Sequence, residues 1–177
     1  MKTRITALLG IEHPIFQAAM SWASSNSALV TAGSNAGGMG VLAAGPMRPQ
    51  DFKKALLDIR EGTAKPYGVN IPLNSPRAAE LLDIAYEARI PVMVASQGGP
   101  REHLARFRAI GTKWLHVVAS VEHASKAEAA GVDALVVDEA EFEELDPYQR
   151  FLLRRRIEER GFVLVERVEG LNLFVRR

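Results

Sequence analysis

Cysteine is absent from the chain, so no disulfide, thiolate nucleophile or cysteine metal site is available. No apolar run is long enough to span a bilayer, and the first ten residues interleave polar with apolar side chains, unlike a secretory leader. An excess of charge is lacking too. The 22 Lys and Arg residues against 21 Asp and Glu leave a net charge of +1, so no overall field draws nucleic acid or a membrane surface. These absences lead to the expectation of a cytoplasmic protein that meets a small-molecule substrate and neither nucleic acid nor membrane. With 177 residues, 47% hydrophobic and 24% charged, the chain has the size and composition of one domain, residues 1–177, with a core of its own. Two scarcities are local. After Gly131 the only glycines are Gly161 and Gly170, and no histidine follows His123.

What is present has a rhythm. "HPIFQAAM", "MGVLAA", "YGVNIPL", "PVMVAS", "WLHVVAS" and "ALVV" are short apolar runs. Between them lie the helical segments "SALVTAGSNAG", "PQDFKKALLDIREG", "SPRAAELLDIAYEAR", "PREHLARFRAIG" and "VEHASKAEAAG". Ser75 and Pro76 suit an N-cap and first helical position, while Gly37, Gly62, Gly111 and Gly131 suit helix ends. Apolar runs alternating with amphipathic helices read as βαβ units, with a parallel sheet covered on both faces. About six strands are expected, near Pro14, Met39, Tyr67, Pro91, Trp114 and Ala134. A (β/α)₈ barrel and a doubly wound open sheet both satisfy this order.

Either architecture binds ligands at the C-terminal ends of its strands. Those ends are Gln17 to Met20, Ala43 to Gly45, Asn70 to Leu73, Ser96 to Gly99, Ser120, and Asp138 to Glu139. They are small, polar and nearly uncharged until the last, which suits a flat hydrogen-bonding ligand better than a metal. Each also has a plain structural reading: Asn70 as a turn residue, Ser120 as a helix cap, Gln17 as a strand-end hydrogen bonder. The glycines of "SNAGGMGVL" follow a helix and open a strand, the reverse of a dinucleotide fingerprint, so they read as a close-packed turn. Of the histidines, His103 and His123 fall on helices facing solvent. His116 lies inside a strand as a satisfied core residue, and His13 precedes the first strand in a structural place.

The stretches "MKTRITALLGIEHPIFQAAM", "SNAGGMGVL", "KPYGVNIPLNSP", "VVASV" and "AAGVDALVV" resemble the nitronate monooxygenase (2-nitropropane dioxygenase) family, whose pattern the flavin-dependent enoyl-acyl-carrier-protein reductases share. The resemblance runs from Met1 to about Asp138. It implies a TIM-barrel fold with FMN at its C-terminal mouth and an FMN-dependent oxidoreductase activity of the monooxygenase type. Gln17, Ala18, Ala19 and Met20 stand where the family has Gln-Gly-Gly-Met along the flavin. Asn70 matches an asparagine that hydrogen-bonds the ring, and Ser120 matches a position at the fifth strand end. Ser96 and Gln97, with Gly98 and Gly99, replace a glycine-rich segment. Asp138 stands in place of a glutamate and is the candidate for proton transfer.

Beyond Asp138 the pattern departs. The family's Ala-Gly-Gly-His stretch, with its catalytic base, and its Gly-Thr-Arg segment, which holds the FMN phosphate, have no counterpart in "EAEFEELDPYQRFLLRRRIEERG". The acidic run Glu139 to Asp146 would repel a phosphate. Asp146-Pro147 opens a helix closed by Gly161, on which Arg154 to Arg156 read as a solvated face. "FVLVERVEGLNLFVRR" reads as a β-hairpin that turns near Glu169-Gly170 and closes or covers the barrel. The expectation is therefore about six βα units, then a helix and a hairpin (1–138 family-like, 139–177 divergent). As a flavin enzyme the chain is expected to be truncated and weak or inactive alone. A degenerate, non-catalytic relative serving in binding or assembly is the alternative, and homo-oligomerisation is left open.

Overall fold

The computed structural model describes residues 2–138, 147–148, 162–168 and 171–176. Elements follow in the order α1 (Arg4–Leu9), β1 (Phe16–Gln17), α2 (Ser27–Asn35), β2 (Met39–Ala43), α3 (Pro49–Gly62), β3 (Gly68–Pro72) and α4 (Ala78–Glu87). After them come β4 (Val92–Ser96), α5 (Arg101–Ala109), β5 (Lys113–Val117), α6 (Val121–Ala130), β6 (Ala134–Asp138), β7 (Phe162–Val168) and β8 (Leu171–Arg176). All six expected strands and five expected helices are present. α1 is an addition, closed at its start by a capping box between Thr3 and Thr6. α4 begins later than Ser75 and Pro76 suggest, because the Ala78 N–H is taken by the Ser75 carbonyl at 2.9 Å in a turn ahead of the helix. The acidic run 139–146, the expected helix from residue 149 to its closing Gly161 with Arg154–Arg156, and the expected hairpin turn at 169–170 lie outside the described residues. Pro147 and Tyr148 are helical.

The strands form one sheet in the order β1-β2-β3-β4-β5-β6-β8-β7, with β1 to β6 parallel and in sequence. A doubly wound sheet reverses its strand order around a central first strand. Here β1 is at the edge, each crossover steps the same way, and the sheet curls as a half-barrel. β8 pairs antiparallel with β6, from Ala134↔Val175 to Asp138↔Leu171, and β7 pairs antiparallel with β8. The C-terminal hairpin therefore covers the edge of β6. Among the described residues no ladder joins β7 to β1, so it does not close the barrel.

Side-chain alternation along the strands separates two cores. Leu42, Val69, Ile71, Met93, Ala95, Trp114, Leu135 and Val137 face the helices. They join Val30 of α2, Phe52 and Ile59 of α3, Leu81 of α4, Phe107 of α5 and Ala127 of α6. Met39, Val41, Val92, Val94, Leu115, Ala134 and Val136 face the concave side, where Ile5 and Leu9 of α1 fill the space with Ile11. All five crossover helices thus lie on the convex face, and α1 plugs the concave one. Among the described residues no helix is long and apolar enough to cross a membrane.

The glycine turn before β2 is a packing device, as its sequence suggests. Gly37, at φ 88°, follows the end of α2. A Cβ on Gly40 would sit 2.1 Å from the Val30 carbonyl oxygen, so α2 rests directly on the backbone of β2. Gly40→Ala is expected to lower the unfolding free energy by about 2–3 kcal/mol by forcing the two apart. At Gly99 an added Cβ meets nothing within 4 Å. Gly99→Ala should therefore stay within about 0.5 kcal/mol of the parent, a contrast that urea denaturation of both variants measures.

Candidate functional site

Parallel strands bring the expected ligand-facing ends to one rim, but the side chains divide between its faces. Phe16 and Ala19 pack against the concave core. Gln17, one residue out of phase, turns its Cβ to within 3.4 Å of where a Cβ on Gly33 of α2 would lie. The Gln17 amide nitrogen donates to the Ala18 carbonyl, and its Oε1 is buried without a partner among the described residues. Gln17 therefore lies behind β1 and not in the mouth with Asn70. Ala18 and Met20 are exposed, and with Ile15 and Trp22 Met20 leaves an apolar rim beside β1.

Asn70 stands on the concave face between Val69 and Ile71, both of which face the helices. Its Nδ2 donates to the Val94 carbonyl at 2.9 Å and toward Ser96 Oγ at 3.4 Å. The amide can thus offer a ligand its Oδ1 acceptor, while its donor is already committed. Ser120 caps α6, accepting the His123 N–H at 3.1 Å. Asp138 ends β6 opposite Leu171, so its backbone is at the same rim.

The loop after β4 is the most constrained part of the rim. Gln97 has φ 52° and Gly98 φ 145°. A Cβ on Gly98 would lie 2.7 Å from Leu73 Cβ, so glycine is required there on both counts. The Leu73 N–H donates to the Ser96 carbonyl at 2.7 Å. Ser96, Gln97, Gly98, Gly99, His116 and Lys126 wall a cavity of about 540 Å³ between this loop and α6. His116 and Lys126 were not expected in a site. A polar side chain in the middle of an apolar strand is the sequence signal for the former. On the other side of the rim, buried Ser24 and its neighbour Ser25 bind the loop after β1 to the end of β2. The Ala43 N–H donates to the Ser24 carbonyl at 3.0 Å, and Ser25 Oγ donates to the Ala43 carbonyl at 2.8 Å.

His116 is a satisfied core residue, as its place in a strand suggests. It is 4% exposed, its Nε2–H donates to the Gly98 carbonyl at 3.0 Å, and Trp114 Nε1 donates toward its Nδ1 at 3.5 Å. His103 departs from expectation: its ring stacks on Trp114, with centroids 6.2 Å apart, and does not simply face solvent. His123 is exposed on α6. None of the three stands on the concave face, and among the described residues no cluster of His, Cys, Asp or Glu could hold a metal.

A half-barrel of βα units with polar strand ends at one rim defines the class of protein, an α/β barrel-type domain. The nitronate monooxygenase family model matches residues 2–95, and the chain belongs to that family. FabK from Thermotoga maritima superposes with a TM-score of 0.72 at 41% identity, over 76% of this chain and 43% of that one. A nitroalkane oxidase from Streptomyces ansochromogenes does so with a TM-score of 0.66 at 29% identity, over 74% and 47% of the two chains. Among curated proteins, a (3aS,4S,5R,7aS)-5-hydroxy-7a-methyl-1-oxo-octahydro-1H-indene-4-carboxyl-CoA dehydrogenase of Mycobacterium tuberculosis is 31% identical over 80% of this chain and 39% of its own length. A probable nitronate monooxygenase of Staphylococcus aureus is 28% identical, over 79% and 49%. The chain thus spans between two fifths and one half of the curated relatives it matches.

Burial holds the His116 imidazole well below its ordinary value of 6.5, to about 4, against the opposing pull of the Gly98 carbonyl and with a small push from His123. The unfolded chain takes up this proton as pH falls below about 6.5, while the folded protein does not until about 4. Stability that is complete above pH 6.5 is therefore expected to drain away down to about pH 4, by about 3 kcal/mol from this residue. Denaturation curves at successive pH values check this, and His116→Gln should flatten the slope in that window.

Proposed function

We propose that these 177 residues form a nitronate monooxygenase-type flavin scaffold that keeps the ring-facing edge of an FMN-dependent oxidoreductase, lacks its phosphate grip, and is weak or inactive alone. Phe16, Ala19 and Val117 on the concave side, with the free Oδ1 of Asn70 and the hydroxyl of Ser96, make an apolar floor with a few polar groups. That floor suits a flat heteroaromatic ring. When bound, the flavin would supply the electron chemistry; Asn70 and Ser96 would orient it, and the apolar floor would exclude water from beneath it.

The observation that carries this reading is the reversed β8. In (β/α)₈ barrels a phosphate site commonly forms from the loops after strands 7 and 8, aided by a helix N-terminus. Here the edge of β6 is taken by an antiparallel strand, and two residues alone separate β7 from β8. Neither a glycine-rich loop nor a helix fits in that connection. Among the described residues the rim fits the ring and the β7–β8 connection does not fit the phosphate. His103, His116 and His123 favour the second reading, a non-catalytic binding or assembly protein, because none of them stands over the concave face.

Titration with FMN and with riboflavin, which lacks the phosphate, tests the proposal. A phosphate of up to about two negative charges, met by no charge-assisted hydrogen bonds, should add nothing. The two flavins are expected to bind within about threefold of each other, weaker than micromolar, because each such bond lost costs roughly 1.5–3 kcal/mol. Micromolar or tighter FMN binding with turnover of a nitronate would overturn it, and no binding of either flavin would favour the non-catalytic reading. Oligomeric state belongs in the same measurement, since Arg154 to Arg156 of a neighbouring chain could supply the missing charge.

Asn70→Ala should weaken flavin binding by about 1–3 kcal/mol if Oδ1 accepts from the ring; unchanged affinity in the same titration would remove Asn70 from the site. Gln17→Met tests the rim from behind. Removing a buried oxygen that has no protein partner should leave the stability of the flavin-free protein equal or about 1 kcal/mol higher, as thermal unfolding would read.

A further inference from the structure

We infer that His116 is a positioning residue, which holds the loop of Ser96 to Gly99 in ligand-ready shape from behind the sheet. Its ring lies on the helix-facing side of β5, away from the concave floor, yet its Nε2–H reaches the Gly98 carbonyl at 3.0 Å. Trp114 Nε1 points its hydrogen at Nδ1 from 3.5 Å, which selects the neutral ring with the proton on Nε2, the tautomer that can donate to Gly98. Trp114 is in turn fixed by Phe107, at 5.4 Å and edge-on, and by the stacked ring of His103. The hold thus rests on rigid parts of β5 and α5.

The loop needs such a hold. Gln97 is a non-glycine residue at φ 52°, a conformation that costs free energy and persists only where neighbours over-determine it. On one side Leu73 fixes the Ser96 carbonyl, and Asn70 reaches the Ser96 hydroxyl. Beyond Ser96, the Gly98 carbonyl is held by His116. Without that bond the two residues in special conformations are anchored at one end. Ser96 shares the Asn70 amide, so the strain released in the loop is felt at the group proposed to face the flavin.

Two variants separate positioning from bulk packing. His116→Gln can place an amide N–H near the position of Nε2, whereas His116→Leu fills the volume with no donor. Amide exchange of Leu73, whose N–H donates to the Ser96 carbonyl at the base of the loop, is read in the protein without ligand. His116→Leu should speed exchange of the Leu73 N–H about tenfold, as the loop opens more often with one hydrogen bond lost, with exchange in β2 and α3 unchanged; His116→Gln should stay near the parent. Riboflavin affinity, which rests on the proposed flavin reading, should fall about five- to tenfold in His116→Leu and recover in His116→Gln. If His116→Leu does not fold, His116→Asn, which offers its donor nearer Cβ, takes its place and is expected to behave like the leucine variant in both readouts. Parent-like Leu73 exchange in the donor-less variant overturns the inference. Faster Leu73 exchange in a protein that binds no flavin leaves the hold intact and overturns only the flavin reading.

Discussion

The structure depends on covering both faces of a parallel sheet whose two faces differ in curvature. Helices fit on the convex face, and α2 to α6 do so through one continuous apolar layer. The concave face is too narrow for a helix between every pair of strands, so β-branched and small side chains fill it, with one short helix inserted from the N-terminal side. Ile5 is fully buried there, in a helix of six residues that has little stability of its own. α1 is thus ordered by the cavity it fills, and the curl of the sheet is supported by α1 in turn.

Everything at the rim inherits the phase of that alternation. A strand residue faces either the helices or the mouth, and one step changes which. Asn70 and Ser96 share the concave phase, where their hydrogen bond joins two strand ends. Gln17 and His116 are in the other phase, so an amide offered as a site residue by its sequence position, and a core imidazole, are turned to the helix side. For His116 this orientation gives it a part in shaping the loop that carries Ser96 and Gln97.

The C-terminal hairpin settles a different problem. Six parallel strands leave β6 with an unpaired edge, an invitation to aggregation. Antiparallel pairing with β8 satisfies that edge within the same chain.

The order of strands and helices was legible because apolar runs and helix caps are local signals, carried by residues such as Ser120 and Gly131. The turn chemistry of Gly37 to Gly40 was legible for the same reason, and the resemblance to a known family pointed to the curl. α1 was not legible: "RITALL" is too short to announce a helix, and its burial follows from a cavity that exists only once the sheet has curled. Nor did residue order say that Gln17 would lie behind β1, that the Asn70 donor would already be taken, or that His103 would stack on Trp114. Those outcomes depend on strand phase and on neighbours distant in sequence. The chain by itself determined which segments become strands and helices and which polar residues end them. Tertiary structure alone decided which way each polar residue faces, because a side chain's partner is set by the strand or helix packed against it.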